Sequence, residues 1–76
     1  MIRPNVDTIK ASMARRGWNA TALAYHTGLS FPTVTRLLSG DYAVGERVIA
    51  ALLSVFPELS FDDLFEVVRE PEEVAS

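Results

Sequence analysis

The sequence predicts an all-α fold, a compact bundle of five short helices, and three observations carry that expectation. A polar cap flanked by two apolar staple positions occurs three times: Asn19 with Trp18 and Leu23, Ser30 with Leu29 and Val34, Ser60 with Leu59 and Leu64. Gly17, Gly28 and Gly40 each follow a run of helical apolar spacing, where a left-handed residue ends a helix. No stretch alternates apolar and polar residues as a half-buried strand does, and no segment repeats.

Asn5 is expected to cap a first helix over about residues 6–16, with Val6, Ile9 and Met13 on one side and Gly17 as its stop after Arg15 and Arg16. The second helix runs from the Asn19 cap to Gly28 around Leu23 and Ala24, and the third from Ser30 to Gly40 around Val34, Leu37 and Leu38. A fourth carries Val48, Ile49, Leu52, Leu53 and Phe56 at helical spacing; Pro57 forbids its continuation, while its start near Val44 and Gly45 is weakly signalled. The fifth is expected from Phe61 to Val68. Its cap, Ser60, has Asp63 three residues on as a capping box, and Asp62 and Asp63 suit the positive end of the helix dipole.

Seventy-six residues leave room for one domain, expected over residues 1–69, followed by an acidic solvated tail over residues 70–76. Such a short chain buries only about 60% of the surface that it exposes when unfolded, and without cysteine it has no disulfides. Its stability is expected from packed helices or from pairing with a second copy. No apolar run approaches the roughly 20 residues that span a bilayer, and Met1-Ile2-Arg3-Pro4 lacks the apolar core of a signal peptide, so a cytoplasmic location is expected. The net charge of −3 hides two poles: residues 1–57 carry +3 and residues 58–76 carry −6. The basic pole keeps a nucleic-acid partner open despite the acidic average.

The informative segment is 19–40, two short helices around a tight turn, which is the spacing of a helix-turn-helix. Ala24 is small where the helices cross, Gly28 permits the turn, and Leu23, Leu29, Val34 and Leu37 fill the angle between them. Placing Val34 inward at ~100° per residue leaves Pro32, Thr35, Arg36 and Ser39 on the outer face of the third helix, with Phe31 at an intermediate angle.

Residues 6–66 resemble the lambda-repressor-like helix-turn-helix DNA-binding domains (Cro type, XRE family) at Leu23-Ala24, Gly28, Ser30, Val34, Leu37, Gly40 and the closing Leu64-Phe65. The resemblance implies a third helix in the major groove of a double-stranded operator, a homodimer on a two-fold site, and a repressor similar to small phage Cro or immunity proteins. It also implies base reading by Phe31, Pro32, Thr35 and Arg36. Arg36 can bond guanine bidentately, and the edge of Phe31 can meet a thymine methyl. Phosphate contacts are expected from Arg15, Arg16, Asn19, Thr21, Thr33, Ser39, Tyr42 and Arg47; for each, plain capping or solvation competes with that role. The apolar excess of the C-terminal third places Phe56, Leu59, Phe61, Phe65 and Val68 at an expected dimer contact, with burial in the monomer as the alternative.

Two departures matter. Asp41-Tyr42 stands where many relatives carry basic residues, and Met13 with Leu38 replaces a buried arginine–glutamate pair by an apolar contact. The lone histidine, His26, has no cysteine or carboxylate partner at ligand spacing and is expected on the surface. Ser30, Ser39 and Ser54 lack a histidine–acid context, so no catalysis, cofactor or small-molecule ligand is expected. The competing functions are a protein-interaction module that binds a toxin or another regulator, and a DNA-binding antitoxin or excision-control protein.

Overall fold

The computed structural model describes residues 1–40 and 43–68, arranged as β1 (Ile2–Pro4), α1 (Val6–Arg16), α2 (Ala20–Thr27), α3 (Phe31–Ser39), α4 (Glu46–Val55), α5 (Phe61–Leu64) and β2 (Phe65–Val67). The fold is mostly helical, with five helices and one small antiparallel sheet. The acidic tail expected at 70–76 lies outside the described residues.

Helices α2, α3 and α5 start where their caps predict. The Asn19 side chain accepts from the Ala22 amide, Ser30 from Thr33, and Ser60 from Asp63, whose carboxylate accepts in turn from the Ser60 amide to complete a capping box. Gly45 supplies the N-cap of α4 with no side-chain bond, which explains why that start is weakly marked in the sequence. One cap differs. Asn5 precedes α1, yet its side chain makes no cap bond; its amide instead donates across the chain to the carbonyls of Asp63 at 3.1 Å, Phe65 at 3.4 Å and Asp62 at 3.5 Å. Three carbonyl acceptors converge there, and an amide N–H₂ answers them where a capping oxygen would not.

The expected five helices are present, a small sheet is added to them, and the fifth helix ends at Leu64 rather than Val68. Ile2 lies opposite Val67, Arg3 opposite Glu66 and Pro4 opposite Phe65. The amide of Val68 donates to the Met1 carbonyl at 2.8 Å, and that of Asn5 to the Leu64 carbonyl at 2.8 Å. Antiparallel alternation then makes Pro4 part of a non-bonded pair, where its missing N–H is harmless. The outward carbonyl of Ile2 accepts from the Val44 amide at 2.9 Å, so β1 also ties down the connection after α3.

Ile9, Leu23, Val34, Leu37, Leu52, Phe56 and Leu64 are fully buried in one core, with Met13, Leu29, Val44, Val48 and Phe65 nearly so. Helix α3 packs on α1 and α2, while α4 packs on α2 and α5. Met13 is buried and Leu38 packs against the core, with no arginine–glutamate pair at these apolar positions. Trp18 and Leu59, the outer halves of two staples, are partly buried against the same cluster.

Candidate nucleic-acid interface

The α2–turn–α3 unit is held by its termini as much as by its core. Gly28 adopts φ 76 and ends α2, and the Thr27 hydroxyl locks the turn by donating to the Leu23 carbonyl at 2.7 Å while accepting from the Leu29 amide at 3.2 Å. Thr27 is a turn-setting residue that sequence reasoning passed over; its signal is a hydroxyl one residue before the stop glycine. At the other end, Gly40 turns at φ 84, and a Cβ there would stand 3.5 Å from Val6 Cγ2. Pro32 lies in the first turn of α3, where no intrahelical amide is needed.

With Val34 and Leu37 inward, α3 presents Phe31, Pro32, Thr35, Arg36 and Ser39 outward, all exposed; Phe31 keeps 50% of its surface. The hydroxyls on this face bond back to their own helix, Thr35 to the Pro32 carbonyl at 2.9 Å and Ser39 to the Arg36 carbonyl at 2.6 Å. Their protons are therefore committed to the helix itself, and Arg36, with five N–H groups, is the charged side chain of the face.

The expected phosphate contacts separate into groups. Asn19 and Thr21 are exposed at the start of α2, with the Asn19 oxygen occupied in capping. Arg15 is exposed and donates to the buried Ser12 hydroxyl at 3.1 Å. Thr33 and Arg47 line one cleft with Leu29, Ser30, Gly45 and Val48. Tyr42 lies outside the described residues.

Arg16, another expected phosphate contact, is engaged within its own chain. Its Nη1 donates to the Val55 carbonyl at 2.7 Å, its Nη2 bonds both carboxylate oxygens of Glu58 at 2.8 and 3.0 Å, and its guanidinium lies over the rings of Phe56 at 4.6 Å and Trp18 at 5.2 Å. These interactions make it a strut between the end of α1 and the end of α4. The expected dimer residues are likewise redistributed. Phe56 and Phe65 are buried in their own chain's core, the alternative to their expected place at a dimer contact. Leu59 and Phe61 are half-buried against that core, and so is Val68 at the sheet.

Glu58 titrates below its ordinary value of 4.5, chiefly through a hydrogen bond from its own backbone N–H, with the bond and charge of Arg16 adding to an effect that desolvation opposes. A carboxylate whose folded pKa is depressed stabilises the fold above the unfolded value, and that contribution vanishes as pH falls through the lower folded value. The melting-temperature gap between the wild type and Glu58→Gln is therefore expected to be small at neutral pH, because the pair is exposed, and to close on acidification below 4.5. A gap unchanged across that range would show that Glu58 acts through packing alone.

His26 is exposed, as expected, and its ring stacks on Trp18 at 4.2 Å with an interplanar angle of 11°. Among the described residues no group of three or more His, Cys, Asp or Glu is placed to hold a metal ion, and no helix is long and apolar enough to cross a membrane.

Residues 5–70 match the family model described as winged helix-turn-helix DNA-binding. The match supports the helix-turn-helix reading at a broader level than the Cro-type resemblance. Among the described residues the strands are β1 and β2, which join the two ends of the fold rather than forming a hairpin after α3. No curated protein and no solved structure is significantly similar to the chain.

Proposed function

The chain belongs to the winged helix-turn-helix DNA-binding family, and from that premise we propose that it is a sequence-specific transcriptional regulator, a repressor of the Cro kind that occupies an operator. The carrying observation is the outer face of α3: a helix locked at both ends and buried along Val34 and Leu37 presents Phe31, Pro32, Thr35 and Arg36 as one exposed strip. In this reading α3 lies in the major groove, with Arg36 on a guanine edge and Phe31 against a thymine methyl. Arg15, Asn19, Thr21, Thr33, Ser39 and Arg47 meet the phosphate backbone and set register without carrying sequence information.

Two copies on a two-fold operator complete the proposal, with α3 helices about 34 Å apart. Of the residues expected at the dimer contact, Leu59, Phe61 and Val68 remain partly accessible for it. No cofactor takes part in this mechanism.

The test is a titration against duplex from the chain's own promoter region and against random duplex, each at two salt concentrations. Tight promoter binding with a steep salt slope is expected. Equal weak binding to both would overturn the reading in favour of a protein-interaction module.

A further inference from the structure

Hydrogen-bond polarity separates two adjacent side chains on the outer face of α3. Thr35 is exposed, and its hydroxyl donates to the Pro32 carbonyl at 2.9 Å. A threonine hydroxyl has one proton and two lone pairs, so with that proton spent on the helix Oγ1 meets a ligand as an acceptor alone. Branching at Cβ leaves threonine two χ1 wells in a helix, and the carbonyl bond selects between them. The next residue, Arg36, has the reverse character, with donors and no acceptor.

The surroundings of the hydroxyl sharpen its choice. Phe31 and Pro32 stand four and three residues before Thr35, so both are its neighbours on the helix surface, and both are exposed and apolar. Pressed against another molecule, this face leaves little room for water beside Oγ1. An acceptor buried there without a donor costs more than the hydrogen bond would return. A group that brings an N–H is accepted, and one that brings a lone pair is refused. In the major groove every base pair shows an amino group on one strand, adenine N6 or cytosine N4, and a keto oxygen on the other, thymine O4 or guanine O6.

We propose that Thr35 is a specificity-determining residue whose Oγ1 accepts from the amino group of one adenine or cytosine per half-site and rejects guanine and thymine at that place on the same strand. Thr35 reads a donor beside Arg36, which reads acceptors, so the pair tells one strand from the other and fixes the direction of α3 in the groove. The inference rests on the DNA-binding reading above and adds to it the class of base that the operator carries.

The test starts from operators selected out of a randomised duplex library, with each position then changed to all four base pairs. The wild type is expected to show one position per half-site where adenine or cytosine is favoured over guanine and thymine by about three- to tenfold, the size of one hydrogen bond. Thr35→Val keeps the shape of the side chain and removes the hydroxyl; it is expected to flatten that position alone, while Thr35→Ser keeps the preference. Replacing the favoured base by its analogue without the amino group, purine for adenine or 2-pyrimidinone for cytosine, should weaken the wild type by the same factor and leave Thr35→Val unchanged. The analogue that produces the loss identifies the base. A preference for guanine or thymine at the position that Thr35→Val flattens, an equal loss of Thr35→Val on operator and random duplex, or no change on either would overturn the role of Thr35 while leaving DNA binding intact. A wild type that enriches no sequence from the library would overturn both readings.

Discussion

Phe56→Ala is expected to destabilise the domain by about 3 to 5 kcal/mol, the range for deleting a buried aromatic from a packed core. Phe56 is fully buried, its ring lies 5.8 Å from that of Trp18, and the Arg16 guanidinium covers it at 4.6 Å. At ~0.05 to 0.15 kcal/mol per residue, a chain of this length has a total stability of about 4 to 11 kcal/mol, so this one truncation removes a large share of it. The penalty has two parts: a cavity in the buried core cluster, and release of the aromatic face that fixes Arg16. Urea unfolding at two protein concentrations decides the residue's role. If Phe56 is core, the destabilisation is the same at both. A wild-type midpoint that falls on dilution, with the dependence abolished in Phe56→Ala, would return the residue to a dimer interface.

Phe56 also marks where sequence reasoning succeeded and where it stopped. Its helical spacing with Leu52 and Leu53 placed it on α4, because local periodicity is written within a few turns. Which side of that helix faces its own core and which faces a partner depends on elements far away in the chain. Arg16 shows the same limit: its partners Val55 and Glu58 lie 39 and 42 residues on, and nothing near Arg16 announces them. The caps at Asn19, Ser30 and Ser60 were legible because a cap bonds three residues ahead.

The sheet was invisible for a related reason. Three-residue strands are too short to display alternation, and their partners are separated by nearly the whole chain. Phe61 and Phe65, four residues apart, imitate a helical pair; their rings do meet, at 5.2 Å, although Phe65 has already left the helix. Of the candidate site, the outer face of α3 was legible from periodicity, whereas the cleft was not, since it joins Ser30 and Thr33 to Arg47 across an intervening loop.

Arg36→Ala is expected to remove discrimination at one base pair per half-site, worth about 1 to 3 kcal/mol, or roughly fivefold to more than a hundredfold in relative affinity. On the exposed face of α3, Thr35 and Ser39 have committed their hydroxyl protons to backbone carbonyls, and Phe31 and Pro32 offer only apolar surface. A guanidinium is the group there that satisfies both guanine acceptors at once. The wild type and Arg36→Ala should therefore be compared on operators substituted one base pair at a time. The wild type is expected to penalise every change at the guanine that Arg36 reads; the variant is expected to bind all four pairs equally at that position while keeping its preferences elsewhere. Arg15→Gln provides the contrast: Arg15 is exposed at the end of α1 and in the proposed reading meets the phosphate backbone, so its neutralisation is expected to weaken every sequence by the same factor. If Arg36→Ala instead lowers cognate and random binding equally, Arg36 is a phosphate ligand, and base reading falls to Thr35 and to Phe31 and Pro32, whose apolar edges distinguish thymine methyls and little else.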